Sequence, residues 1–247
     1  MRLPYALDDG PGGRAAIGLI LLQTDVAAEG EIAAVFPETD VALHHGRIPF
    51  DPQVTPETLA RMACELPAAA ALLPGARPLD AVAYCCTSGA TVIGAEAVDA
   101  AVRSAHPRAA VTDPIRAVTE ALSAVGARRI ALLTPYRADV SGAIAERLTG
   151  AGLEIAAFGS FEQETDALVA RIAPDSVTSA LIALGAAAEV DAVFASCTNL
   201  RGFASIGPAE ARLGKPVVTS NQALGWMLRR LCALPTRGAG PGRLFDA

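Results

Sequence analysis

The chain has 247 residues, with 20 Lys and Arg against 26 Asp and Glu, a formal net charge of −6. It is 52% hydrophobic but only 4% aromatic. The apolar bulk is therefore Ala, Val, Ile and Leu, which suits helices packed tightly on a sheet in one large domain or two small ones. An acidic balance without any basic run excludes a nucleic-acid partner, and apolar stretches such as Ile17–Leu22 and Ala68–Leu73 are too short to span a bilayer.

The first residues, Met1–Gly13, carry Asp8, Asp9 and several Gly and Pro but no apolar signal-peptide core, so a loose start and a soluble cytoplasmic protein are expected. Gly10-Pro11-Gly12-Gly13 precedes the first strand rather than following it, so it is not a dinucleotide loop. Strands are then expected at Ile17–Leu22 and Asp40–His44. His44 and His45 would point to opposite faces there and cannot share a metal. Thr55 caps a helix over Pro56–Leu72, with Pro56 at its first position. A strand at Ala81–Cys85 precedes a helix at Thr91–Arg103, and a strand at Ala109–Thr112 precedes one at Ile115–Val125. The alternation continues with strand Ile130–Thr134, helix Val140–Ala151 and strand Glu154–Phe158, then helices Glu164–Ile172 and Asp175–Ala188. Strands Ala192–Ser196 and Val217–Ser220 and a helix over Gln222–Leu234 close the order, before a Gly-rich tail, 236–247, expected to be loose. Such alternation implies βαβ units and parallel sheets flanked by helices, an α/β fold.

The order repeats. Leu79–Thr87 (LDAVAYCCT) aligns with Val190–Thr198 (VDAVFASCT), with both the aspartates and the cysteines 111 residues apart. Ile17–Ile20 resembles Ile130–Leu133, and Val111–Asp113 resembles Val218–Ser220. Two similar halves are expected, over 14–115 and 116–221, with the helix at 222–234 packing back on the first.

Five cysteines in a cytosolic chain argue against a disulfide framework, and no zinc-ligand spacing is present, so no metal is expected. Cys86 and Cys197 each stand where a strand ends and a helix begins, the place where open α/β sheets bind ligands. Backbone N–H groups there stabilise a thiolate or hold a carboxylate. Two thiols facing one carbon permit two reactions. One thiolate removes a proton while the other thiol returns it on the opposite face, or one thiolate adds to a double bond. Cys64, Cys85 and Cys232 are read as packing residues.

Cys86-Thr87-Ser88-Gly89, Thr134-Pro135-Tyr136 and Ser196-Cys197-Thr198-Asn199-Leu200-Arg201 resemble motifs of the aspartate/glutamate racemase superfamily, in the branch of maleate cis–trans isomerases and arylmalonate decarboxylases. The resemblance covers most of Ala16–Leu234. It implies two pseudo-symmetric flavodoxin-like halves with the active site between them and no metal or organic cofactor. By resemblance Cys86 is the nucleophile and Cys197 a proton donor or acceptor. Thr87, Ser88 and Tyr136 hold a carboxylate or developing enediolate, and Thr198 and Asn199 serve the other side of the substrate. Arg201 is read as either a salt-bridge partner at a helix start or a substrate contact. The isomerases carry an Asn in the first loop, where this chain has Gln23, Thr24 and Asp25, and another near Asp166. If Asp166 faces the cleft, its charge repels a dicarboxylate and suits a substrate bearing an amine or amidine; if it caps a helix, nothing follows. The 161–166 segment and Ser220-Asn221-Gln222-Ala223 also look like the ectoine-utilisation, EutA-like branch. The resemblance implies a cofactor-independent isomerase of a small carboxylate, forming a homodimer or homotetramer. The alternatives are an amino-acid racemase of the aspartate, glutamate or hydantoin type, a non-catalytic carboxylate binder, and a decarboxylase.

Overall fold

A computed structural model describes residues 1–8 and 10–247; Asp9 lies outside the described residues. The first half runs β1 (Ala15–Leu22), α1 (Ala28–Ala33), β2 (Val41–Ile48), α2 (Pro56–Arg61), α3 (Leu66–Leu72), β3 (Ala81–Cys85), α4 (Thr87–Ile93), α5 (Ala95–Arg103) and β4 (Ala110–Thr112). Then come α6 (Pro114–Ala124), β5 (Arg129–Tyr136), α7 (Ala138–Gly150), β6 (Glu154–Gln163), α8 (Asp166–Val169), α9 (Pro174–Gly185), β7 (Ala192–Ala195), α10 (Phe203–Leu213), β8 (Val217–Thr219) and α11 (Ser220–Leu231). All eight expected strands are present.

The strands form two parallel four-stranded sheets of matching order, β2-β1-β3-β4 and β6-β5-β7-β8. In each sheet the chain leaves its central strand for one side and then returns to the other. The carboxyl ends of β1 and β3, and of β5 and β7, therefore open onto a crevice at the point where direction reverses. The sequence repeat has a structural job. Asp80 Oδ2 accepts from Ala16 N–H at 2.8 Å, and Asp191 Oδ2 accepts from Arg128 and Arg129 N–H at 3.0 and 2.8 Å. Each aspartate ties the start of its own strand to the neighbouring one.

β1 is buried at every position, which its run of Ala, Ile and Leu requires. The edge strand β2 is only half-buried, with His45 exposed. Two helix pairs cover the first sheet, α3 with α5 and α1 with α11, while α9 and α10 pack on the second. The halves meet through α4 with α7 and α6 with α11. A buried ion pair fixes α11 against the first half: Arg229 Nη2 lies 2.6 Å from Glu38 Oε1, and the Arg229 side chain is 3% exposed. This guanidinium holds the Glu38 carboxyl below its usual range.

Several boundaries differ from expectation. The helix expected over 56–72 breaks at a 3-10 turn, Met62–Cys64, because Pro67 lacks the N–H that continuation needs. That turn leaves Cys64 exposed rather than packed. The helix expected from Thr91 begins at Thr87, and Gly94, at φ 82°, separates it from α5. The stretch expected to be helical over 164–172 holds one turn, α8, because β6 runs on to Gln163. The C-terminal tail is not loose. Leu244 and Phe245 are fully buried, Gln222 Nε2 donates to Pro241 O at 2.7 Å, and Arg243 N–H donates to Glu210 Oε2 at 3.0 Å. Two apolar side chains in a Gly-rich segment are enough to anchor it.

Candidate active site

Cys86 ends β3 and caps α4: its Sγ accepts from Gly89 N–H at 3.2 Å and lies 3.7 Å from Ser88 Oγ. The close turn depends on Gly89. A Cβ there would stand 2.2 Å from Tyr84 Oη, 2.8 Å from Met62 Cε and 3.0 Å from Cys86 Sγ. Cys197 ends β7 in the second half, and its Sγ accepts from Asn199 N–H at 3.3 Å. Its φ of 129° is a strained value for a side-chain-bearing residue, costing about 1–3 kcal/mol.

Ser220 joins the two cysteine loops. Its Oγ accepts from Thr87 Oγ1 at 2.9 Å and from Cys197 N–H at 3.0 Å. Thr198 makes a second bridge, donating its hydroxyl to Cys85 O at 3.2 Å. Tyr136, at the end of β5, is buried, and its hydroxyl lies against the Cys197 thiol. Both cysteines are 3% exposed, so the chamber is almost closed.

Burial raises the pKa of both thiols. Cys86 is pushed up to about 11, with the Gly89 N–H and the Ser88 and Tyr84 hydroxyls offsetting part of the burial. Cys197 goes well above the ordinary value through burial and then the charge of Asp166, with Tyr136 and Asn199 opposing. Cys86 thus has three donors favouring its thiolate, whereas Cys197 has two and stands against the Asp166 and Asp25 charges.

Asp166 stands close enough to both thiols for its charge to act on them, and it does not cap α8, whose start has no side-chain cap. Its Oδ2 accepts from Thr24 Oγ1 at 2.6 Å and from Asn199 Nδ2 at 2.8 Å. Burial, and then the neighbouring Asp25 charge, raise its carboxyl above the usual range. Asn199 is engaged at both ends of its amide, with Oδ1 accepting from Val26 N–H at 2.9 Å, so it clamps the loops together.

The sequence-predicted Cys86, Cys197, Thr87, Ser88, Tyr136, Thr198, Asn199, Thr24 and Asp166 therefore gather in one place. Gln23 does not join them; it is exposed, and its N–H continues the β1–β2 pairing with Ile48 O at 2.9 Å. Among the described residues Arg201 forms no ion pair, and it donates to Ile172 O at 3.0 Å. The hydroxyl protons of Thr87 and Thr198 go to protein acceptors. Among the described residues the Thr87 and Ser88 N–H groups meet none, as the first groups of a helix. Sequence reasoning missed Tyr84, Ser220 and the structural part of Asp25. Asp25 Oδ1 accepts from Ala27 and Ala28 N–H at 2.9 and 2.8 Å, starting α1. The signal for Tyr84 was available, since it lies two residues before Cys86 on one face of β3.

A model of the arylmalonate decarboxylase family matches residues 54–245, well over half of the chain. The chain belongs to the arylmalonate decarboxylase family. Within its broader branch it is 27% identical over 240 residues to a maleate isomerase of Nocardia farcinica, covering 93% of this chain and 94% of the relative. It is 34% identical over 132 residues to an arylmalonate decarboxylase of Bordetella bronchiseptica, covering 53% of this chain and 55% of that one. The fold matches a solved structure of the Nocardia farcinica maleate cis–trans isomerase, a cysteine-to-serine mutant with a covalently bound succinylcysteine intermediate. The TM-score is 0.86 and the identity 26%, over 94% of this chain and 98% of that one. The branch and the two-half architecture expected from the motifs are those found. Among the described residues no helix is long and apolar enough to cross a membrane.

Proposed function

We propose that this protein is a cofactor-independent isomerase that interconverts the cis and trans forms of a small unsaturated carboxylic acid through Cys86 and Cys197. The observation that carries this is the pair of buried thiols at equivalent strand ends of two matching halves, joined through Ser220. The family relatives named maleate isomerase, one with a cysteine-bound intermediate, support the same chemistry.

The thiolate of Cys86 adds to the β-carbon of the double bond. The π electrons move through the α-carbon onto the carboxylate, whose oxygens take the Thr87 and Ser88 N–H groups and the Tyr136 hydroxyl. The former double bond is then single and turns. The electrons return, the carbon–sulfur bond breaks, and the trans acid and the thiolate are regenerated. Cys197, whose burial keeps it protonated, gives its proton to the α-carbon to form a saturated thioether and recovers it before the carbon–sulfur bond breaks.

Incubation with small unsaturated carboxylates in D₂O, followed by NMR, tests this. Trans product is expected from the wild type, none from Cys86→Ala, and a mass-detectable adduct on Cys86 in Cys197→Ser. Full turnover by both Cys86→Ala and Cys197→Ala overturns the mechanism. Deuterium at an α-carbon without alkene turnover identifies racemisation instead, a reading that the carboxylate of Asp166 favours because it suits an amine. Five free cysteines support a cytoplasmic location, and a homodimer or homotetramer remains part of the proposal because closed symmetric assemblies are the common form of such folds.

A further inference from the structure

The chamber has two ends of different character. Around Cys86 it offers hydrogen-bond donors, the free Thr87 and Ser88 N–H groups, with the Tyr136 hydroxyl beside Cys197. Across from it, Asp166 offers an acceptor. This side chain is 4% exposed, and Thr24 and Asn199 both donate to the same oxygen, Oδ2. Among the described residues nothing donates to Oδ1, and unlike the sealed Asp25 Oδ2 it is not closed off from open space. Two donors fixed on one oxygen leave the other free to accept from a ligand.

Two carboxylates, Asp25 and Asp166, stand together at this end. Asp25 lies beside Asp166, and its nearest cation, Arg47, is spent on the Leu22 and Asp25 carbonyls and on Glu29. Arg137, beside the 163–166 segment, pairs with Glu164 at the surface. Among the described residues no Lys or Arg forms an ion pair with Asp166. A second substrate carboxylate placed here would meet a carboxylate and no counter-charge, a mismatch that costs a buried group far more than a surface one. A protonated nitrogen would instead meet the one unpartnered oxygen in charge-assisted contact.

We propose that Asp166 Oδ1 is the specificity-determining acceptor for a cationic nitrogen on the substrate, so that the protein takes an unsaturated monocarboxylate bearing an amine or amidine rather than a symmetric dicarboxylate. This rests on the isomerase reading above and names its substrate class. The carboxylate lies at the Cys86 end and the ammonium at Asp166 in the cis acid. The ammonium leaves Asp166 as the central bond turns, so the contact acts mainly on binding of the cis form.

Binding separates this inference from the isomerase reading. Calorimetric titration at pH 7 with 4-aminobutanoate and with succinate, saturated analogues that cannot react, reads the far end alone. The wild type is expected to bind 4-aminobutanoate at least tenfold more tightly than succinate, and Asp166→Asn to remove or reverse that preference. Equal or tighter binding of succinate by the wild type, no binding of 4-aminobutanoate, or an unchanged preference in Asp166→Asn overturns the proposal. Turnover of cis-4-aminobut-2-enoate against maleate reads both claims. The wild type is expected to prefer the amine, and Asp166→Asn to raise its KM for the amine at least tenfold with kcat changed much less. A kcat loss at constant KM overturns the specificity role. Amine binding without isomerisation of either acid overturns the isomerase reading and leaves the specificity of the chamber standing.

Discussion

Replacing Gly89 with alanine tests whether the nucleophile's position is set by a close approach. The new Cβ would stand 2.2 Å from Tyr84 Oη and 2.8 Å from Met62 Cε, so the tyrosine hydroxyl must retreat by roughly 1 Å to reach ordinary contact. Tyr84 is fully buried, and its ring has no open space to move into. Overpacking of this kind costs about 1–3 kcal/mol. Alanine is the better helix former by about 1 kcal/mol, which offsets part of that. A net loss of up to about 2 kcal/mol is expected, readable as a lower urea midpoint at unchanged slope. The Cβ also lies 3.0 Å from Cys86 Sγ and would push the sulfur off the Gly89 N–H. A displacement approaching 1 Å costs about 100-fold in rate, so kcat should fall far more than stability does. An alanine variant as stable as the wild type, with undiminished kcat and undiminished Cys86 alkylation, would refute the packing argument.

The other two predictions concern the thiols. With Cys86 pushed up to about 11, its thiolate fraction should rise tenfold per pH unit from neutrality toward that value. Iodoacetamide labelling of Cys86, followed by peptide mass spectrometry, should therefore climb through pH 10, and Ser88→Ala should slow it at pH 8 by removing a donor that favours the thiolate. A plateau near the ordinary thiol value of about 8.5 would count against this. At Cys197, with its φ of 129°, glycine adopts the backbone freely and alanine does not. Both variants lose the thiol, so Cys197→Gly should be the more stable by about 1 kcal/mol, a Tm difference of about 2–4 °C. Equal melting temperatures would show that the backbone there is unstrained.

Most strands were legible because they are short apolar runs buried on both faces, and the half-buried edge strands β2 and β6 were legible through the same alternation with helices. α1 and α10 were not. α1 is a six-residue helix between loops, and α10 carries Pro208 inside it, so neither shows the uninterrupted period that marks a helix. The tail misled for a related reason. Its glycines read as freedom, while its anchorage rests on Leu244 and Phe245 finding a buried place that only the folded second half creates. At the site, Cys86 and Cys197 stood out through the repeat and their strand-end positions. Thr87 and Thr198 were recognised as hydroxyls, but not as donors to Ser220 and Cys85. Those partners lie 133 and 113 residues away along the chain, a separation that local spacing does not encode. The direction of Asp166 was likewise undecided until Thr24, from the other half, was seen beside it.

The nearly closed chamber also bears on chemical wear. A thiol becomes sulfenic acid and then irreversibly oxidised forms in proportion to its thiolate character and its contact with solvent. Cys86 and Cys197 have little of either while the chamber is shut, whereas Cys64 lies open on its 3-10 turn. The opening that admits a substrate is also the opening that admits peroxide. Oxidative inactivation should therefore follow how often the enzyme opens, and a tight-filling ligand should protect the two inner cysteines while leaving Cys64 as the first residue to be marked.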